Sequence, residues 1–237
     1  MLTCNTGVTP DAETAALVAE YDQQISPIES RVIGTASEDI RAPNTPTDTD
    51  LSPAGETALG DLIADAQRDY ADADIAFMNP GGIRAPIQAG EVTYGELFAV
   101  QPFDNQVVRM QLTGDQIYRL LEQQWQPQAD GSIRERILQV SGLKVTYDAS
   151  RPVGDRIVNV TRSDGTRIDP NNTQTTYTVA ANSFIATGGD GFTVFEEASA
   201  SQETLGSDLD ALESYIGSLP QPFGDPADFG QRVVRQA

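Results

Sequence analysis

At 237 residues, 39% hydrophobic and 21% charged, the chain has the composition of a globular protein with room for one large or two small cores, not that of a disordered tail. Its 35 acidic residues against 15 basic ones give a formal charge of −20, a field that repels polyanionic nucleic acid. It has no histidine and one cysteine, Cys4, which excludes Ser-His-Asp and Cys-His nucleophile systems, histidine-ligated zinc and di-metal phosphoesterase sites, an internal disulfide and a cysteine-based zinc site.

The first predicted element is a helix opened by Thr9-Pro10-Asp11, with a hydroxyl cap and proline at the first helical position. Val18, Tyr21, Ile25 and Ile28 follow at spacings of three and four, and Pro27 ends or bends the helix. Arg31–Thr35 reads as a short strand, and residues 41–55, with three prolines among threonine and aspartate, as a surface loop. A second helix is expected from Glu56 to Tyr70, its apolar stripe formed by Leu59, Leu62, Ile63, Ala66 and Tyr70. Asp74–Met78 is a short apolar strand running into Asn79-Pro80-Gly81-Gly82.

Further on, Thr93-x-x-Glu96 is a capping box opening a short helix through Val100, and Val107–Leu112 alternates as a strand. Thr113-x-x-Gln116 is a second capping box, for a helix whose apolar positions include Ile117, Leu120, Leu121 and Trp125. Strands are expected at Ile137–Val140, Leu143–Tyr147, Ile157–Thr161 and Thr176–Ala181, then a helix at Asp208–Leu219 and a Pro/Gly-rich tail. Strands and helices are mixed rather than alternating, which predicts an α+β fold. No run approaches ~18 uninterrupted apolar residues, so no membrane span is expected. Met1-Leu2-Thr3-Cys4 leads into polar residues with no apolar leader, which says nothing about how a longer parent is delivered.

Three segments join a chain-bending element to a polar or aromatic side chain. In Asn79-Pro80-Gly81-Gly82-Ile83-Arg84, Asn79 offers an amide donor and acceptor, Gly82 allows close approach, and Arg84 carries a planar cationic fork; the alternative is a plain turn with a solvated arginine. In Gln101-Pro102-Phe103-Asp104-Asn105, Phe103 is placed to be a stacking platform or an ordinary core residue. In Asn182-Ser183-Phe184-Ile185-Ala186-Thr187-Gly188-Gly189-Asp190-Gly191-Phe192, Gly189 and its neighbouring glycines build a tight loop that aims Asp190, with Phe184 just before it. A structural turn is the competing reading there; a calcium loop would need more than one carboxylate. Taken together, two phenylalanines to sandwich a planar base, an amide, an arginine and a carboxylate able to accept from ribose hydroxyls make a nucleoside-shaped inventory.

The ordered series Gly55-Glu56-Thr57-Ala58-Leu59-Gly60-Asp61-Leu62-Ile63-Ala64-Asp65-Ala66, Asn79…Gly81-Gly82-Ile83-Arg84, Pro102-Phe103, Leu138-Gln139-Val140-Ser141-Gly142 and Asn182…Phe184…Gly188-Gly189-Asp190-Gly191-Phe192 resembles the C-terminal domain of the 5′-nucleotidase family. The resemblance implies a single compact mixed α+β domain over residues 41–237, preceded by a linker helix and lead-in strand over residues 1–40. It implies a substrate-specificity role: Phe103 and Phe184 match the family's base-stacking pair, Asn79 and Arg84 its asparagine and arginine, and Asp190 its ribose-contacting aspartate, with Gly82 and Gly189 in the same binding segments.

By the same resemblance, the partners are a nucleotide or nucleoside and an N-terminal metallophosphoesterase domain of the same parent chain, which would hold a divalent metal pair. No cofactor is expected in this chain, and a periplasmic, extracellular or cell-surface location is implied. A stand-alone nucleoside-binding module, or the specificity domain of a UDP-sugar hydrolase or 2′,3′-cyclic-nucleotide phosphodiesterase, is the alternative; a carboxylate-dependent hydrolase acting alone is a third. One departure concerns anion gripping. Many members have an arginine three residues before the position of Glu56, where this chain has Pro53, and Arg41 is the neighbouring arginine that could substitute.

Overall fold

The computed structural model describes residue 9, residues 11–41, residue 52 and residues 54–236. Cys4, Pro10, Pro53 and most of the 41–55 loop lie outside them. Helix α1 (Ala12–Glu29) is capped by Asp11, whose carboxylate accepts from the Thr14 backbone N–H at 2.9 Å, so the cap sits two residues after the expected Thr9. Pro27 lies inside the last turn rather than at the end, the helix running on to Glu29. None of the residues of α1 is buried, and Val18, Tyr21, Ile25 and Ile28 face solvent.

The chain continues as β1 (Val32–Ala36), α2 (Ala58–Tyr70), β2 (Ile75–Met78), β3 (Gly90–Thr93), α3 (Tyr94–Val100), β4 (Gln106–Thr113) and α4 (Gly114–Glu122). Then come β5 (Trp125–Pro127), β6 (Ile133–Glu135), β7 (Gln139–Ser141), β8 (Leu143–Asp148), β9 (Ile157–Arg162), β10 (Thr176–Asn182), α5 (Ser183–Ala186), β11 (Glu203–Ser207), α6 (Asp208–Ser218) and β12 (Val233–Gln236). Both expected capping boxes are formed, by Thr93 with Glu96 and by Thr113 with Gln116.

Five strands make the central sheet in the order β11-β4-β10-β2-β7. β10 runs parallel to β2 and antiparallel to β4. Side chains of alternate residues leave this sheet on opposite faces. Ile75, Phe77, Val108, Met110, Leu112, Val179 and Ala181 enter one apolar layer, shared with α4, β8, β9 and the buried rings of Phe192 and Phe195. Ala76, Val107 and Ala180 point the other way, where smaller residues let a helical layer approach, and Met78 joins Leu59, Leu62 and Ile63 of α2 with Leu212 and Ile216 of α6. Coverage on both faces explains why all four residues of β2 are apolar and buried. The mixed α+β architecture is therefore one sheet between two apolar layers.

Four expectations are corrected. Trp125 does not continue α4: the helix stops at Glu122, and Trp125 opens β5, buried with its ring 4.9 Å from that of Tyr147. Tyr70, expected in the apolar stripe of α2, is 38% exposed at the helix end. The strand expected at Ile137–Val140 is Gln139–Ser141, because pairing with β2 begins at Gln139. The Pro/Gly-rich tail ends in β12, which pairs in parallel with β8.

What holds that last strand is a buried cluster of charges. The Glu56 carboxylate accepts from the backbone N–H groups of Gly230 at 2.9 Å, Arg232 at 3.3 Å and Val233 at 3.0 Å. The Arg232 guanidinium, 7% exposed, makes two bonds of 2.8 Å to Asp65 and one of 2.7 Å to Asp228. Asp61 is fully buried, with the Arg232 Nε 3.6 Å from its Oδ2. Burial and the adjacent Glu56 carboxylate push the Asp61 carboxyl up to about 10, against the pull of Arg232. Among the described residues neither Asp61 oxygen has a hydrogen-bond partner, and burial favours its neutral, protonated form at neutral pH.

Folding thus takes up a proton at Asp61. The contribution is complete below the unfolded value of 3.8 and is lost progressively as pH rises towards about 10. Asp61→Asn keeps the shape of the side chain, is neutral at every pH and removes the proton requirement. In urea denaturation between pH 5 and pH 9, the variant should gain stability relative to the parent by up to ~1.4 kcal/mol per pH unit.

Candidate functional site

The sheet pairing brings three loops to one end of the sheet. β2 and β10 are parallel with Ala181 opposite Phe77, so the residues that follow them, Asn79 and Ser183, emerge side by side. β4 runs antiparallel to β10 with Val107 opposite Asn182, which places the loop before β4 at the same end. A pocket of about 350 Å³ opens there, lined by Asn79, Gly81, Gly82, Phe103, Asn105, Phe184 and Asp190. That volume lies at the small end of the ~300–1,000 Å³ usual for small-molecule sites.

Phe103 and Phe184 are 54% and 47% exposed, whereas Phe77, Phe192, Phe195 and Trp125 of the core layers are buried. Among the described residues the aromatic pairs in contact are Phe77 with Phe195 and Trp125 with Tyr147; the two pocket rings are in neither. A short polar bridge joins the two segments that carry them. The Ser183 hydroxyl donates to Asn105 Oδ1 at 3.3 Å and accepts from the Gln106 N–H at 3.1 Å, tying the start of α5 to the loop that carries Phe103. From behind, the carbonyl of Asn105 accepts from the Asp208 N–H at 2.9 Å.

Asp190 sits in a left-handed turn with φ 58°, between Gly188 at 80° and Gly191 at 87°. Both of its carboxylate oxygens have protein partners. Oδ2 accepts from Asn79 Nδ2 at 2.9 Å, and Oδ1 lies 3.1 Å from Arg136 Nη2. Asn79 is itself 2% exposed, and its Oδ1 accepts from Asn182 Nδ2 at 2.9 Å. A chain of buried polar groups thus runs from Asn182 through Asn79 to Asp190, fixing which end of each amide points where. Each Asp190 oxygen and the Asn79 amide still has one bonding position left.

The glycines act by removing a side chain. A Cβ on Gly189 would stand 2.4 Å from the carbonyl oxygen and 2.8 Å from the ring of Phe184, and one on Gly82 would stand 2.6 Å from Met78 Cε. Arg84 is outside the pocket lining. Its backbone N–H donates to Val100 O at 2.9 Å, which sets the exposed guanidinium 5.9 Å from the centroid of the Phe103 ring. Of the sequence-derived residues, then, Asn79, Gly82, Phe103, Phe184 and Asp190 meet around one cavity, Gly189 supports Phe184 from beneath, and Arg84 stands at the rim. Arg41, half-buried, ends the described stretch before the loop that contains Pro53.

Sequence reasoning missed four participants. Asn105 and Asn182 lay inside segments already singled out, and their polar side chains beside Phe103 and Phe184 were the available signal. Gln126 and Arg136 come from the β5–β6 hairpin, whose pairing of Gln126 with Arg134 no motif announces.

The family model for the 5′-nucleotidase C-terminal domain matches residues 32–197. The 5′-nucleotidase precursor from Thermus thermophilus is 33% identical and superposes with a TM-score of 0.75, covering 96% of this chain and 44% of that one. The trifunctional nucleotide phosphoesterase protein YfkN of Bacillus subtilis (strain 168) is 39% identical over 154 residues, 62% of this chain and 10% of that protein. Cell wall protein Lmo0130 of Listeria monocytogenes serovar 1/2a is 34% identical over 229 residues, 91% of this chain and 28% of that protein. The chain spans less than half the length of each.

The contact beneath Phe184 predicts that Gly189→Ala displaces the ring, since the obstacle is backbone as well as side chain. Such overpacking should cost about 1–3 kcal/mol in chemical denaturation. A melting temperature equal to that of the parent would show that the loop absorbs the methyl group without moving Phe184.

Proposed function

The chain belongs to the 5′-nucleotidase family, as a C-terminal domain of that family, and on that premise we propose that it binds the nucleoside part of a nucleotide for phosphoester hydrolysis carried out elsewhere in a longer parent. The observation that carries the reading is the pocket itself: two half-exposed phenylalanines and a fixed carboxylate, from two loops, with Asn79 from a third, around one cavity. A planar base between Phe103 and Phe184 gains offset stacking on both faces. The free positions on Asp190 accept from ribose hydroxyls, and the remaining Asn79 N–H meets a base or sugar acceptor. Arg84, over the Phe103 ring, supplies a local cation on a chain of charge −20.

Phosphoester chemistry falls, in this reading, to a metallophosphoesterase domain holding a divalent metal pair. Among the described residues no group of three or more His, Cys, Asp or Glu side chains is placed to hold a metal ion. No catalytic step is assigned to this chain's own residues. The names of the relatives, a nucleotide phosphoesterase and a cell wall protein, support a nucleotide substrate class and an extracellular or cell-surface setting.

Calorimetric titration with adenosine should show weak binding by the parent chain. Phe103→Ala combined with Phe184→Ala should weaken it by about tenfold or more, from roughly 0.5–1.5 kcal/mol per stacked ring. Equal affinity in the two proteins would reject the aromatic clamp. Release of phosphate from AMP by the purified chain, persisting after EDTA washing, would instead make it a hydrolase in its own right.

A further inference from the structure

The residue that most constrains Asp190 is one that no motif includes. Arg136 follows β6 and reaches the loop between α5 and the segment at Phe192. Its Nη2 lies 3.1 Å from Asp190 Oδ1, and Nη1 donates to the Asp190 backbone oxygen at 3.4 Å. Gln126, across the hairpin, completes the arrangement. Its Nε2 donates to the same backbone oxygen at 2.6 Å, and its Oε1 accepts from Arg136 Nη1 at 3.0 Å. A Cβ on Gly191 would stand 2.7 Å from Gln126 Nε2, so the hairpin is pressed against the turn. The side chains of Arg136 and Asp190 are only 19% and 15% exposed.

We infer that Arg136, supported by Gln126, is a positioning residue that makes this site selective for a ribose with free 2′- and 3′-hydroxyls. The inference rests on the reading of Asp190 as the sugar-binding group. A carboxylate in a left-handed turn can swing unless both its main chain and its side chain are held, and the hairpin holds both. Holding matters because a vicinal diol donates to the two oxygens of one carboxylate only when the plane of the carboxylate is fixed. Arg136 takes one bonding position of Oδ1 and Asn79 one of Oδ2, so the positions left free are the ones turned to the cavity. The guanidinium also neutralises the carboxylate, which spares an anionic nucleotide the repulsion of a bare charge at the pocket wall.

The test compares adenosine with 2′,3′-dideoxyadenosine, by calorimetry on the 237-residue chain, in the parent, Arg136→Met, Gln126→Leu, Asp190→Asn and the Arg136→Met/Asp190→Asn pair. The parent should favour adenosine by about tenfold or more, as hydrogen bonds to a carboxylate give. Arg136→Met should lose most of that preference while holding dideoxyadenosine to within roughly twofold of the parent, because stacking is untouched. Added to Asp190→Asn it should change nothing further, since it acts through Asp190. If Arg136→Met does not fold, Gln126→Leu should show the same loss in smaller measure.

A parent that binds both ligands equally overturns the reading of Asp190 and the inference with it. A parent that discriminates, with Arg136→Met discriminating as strongly, or with Gln126→Leu showing no loss at all where Arg136→Met does not fold, overturns the role of Arg136 alone. Equal weakening of both ligands by Arg136→Met would mark a structural residue and also overturns it.

Discussion

The placement of β10 between β2 and β4 is the constraint on which the rest depends. β10 is parallel to one neighbour and antiparallel to the other, so the chain leaves β2 and β10, and enters β4, at the same sheet end. Asn79, Ser183 and the Phe103 loop are neighbours for that reason alone. The register is enforced by packing: Val179 and Ala181 face a deep apolar layer, while Ala180 faces a shallow one under the helices. A slip of one residue would exchange the faces and drive large side chains into space sized for alanine.

Around that end, the chain uses buried polar partners to turn flexible side chains into fixed ones. Asn182 orients Asn79, Asn79 holds one oxygen of Asp190, and Arg136 holds the other. Hydrogen bonds of this kind are strong where water is excluded, and a missing partner leaves a neighbour unsatisfied. The aromatic pair is treated differently. Phe103 and Phe184 stay half-exposed, on segments joined by the Asn105–Ser183 hydrogen bond.

A second polar assembly fastens the chain terminus. Arg232, among Asp61, Asp65 and Asp228, brings β12 to β8 and ties both to α2. Three carboxylates around one guanidinium would repel one another if all were charged. A proton on Asp61 lowers the negative charge of the cluster by one, while Glu56 accepts three backbone N–H groups.

Sequence alone determined what depends on neighbours along the chain. The capping boxes at Thr93 and Thr113, the apolar stripe of α2, the apolar run of β2 and the glycine turn around Asp190 are local patterns, each set by backbone geometry and a few adjacent side chains. The ordered motifs likewise marked Asn79, Phe103, Phe184 and Asp190 before their meeting place was known, and the family with them. Tertiary structure decided what depends on partners far along the chain. Trp125 left its helical pattern because a hairpin carries it onto Tyr147, and the tail became a strand because Glu56 receives its N–H groups. Arg136 and Gln126 reach Asp190 across 54 and 64 residues, a distance over which no periodicity or spacing rule operates. Local propensity fixes which element forms; only the packed sheet fixes which of its side chains meet.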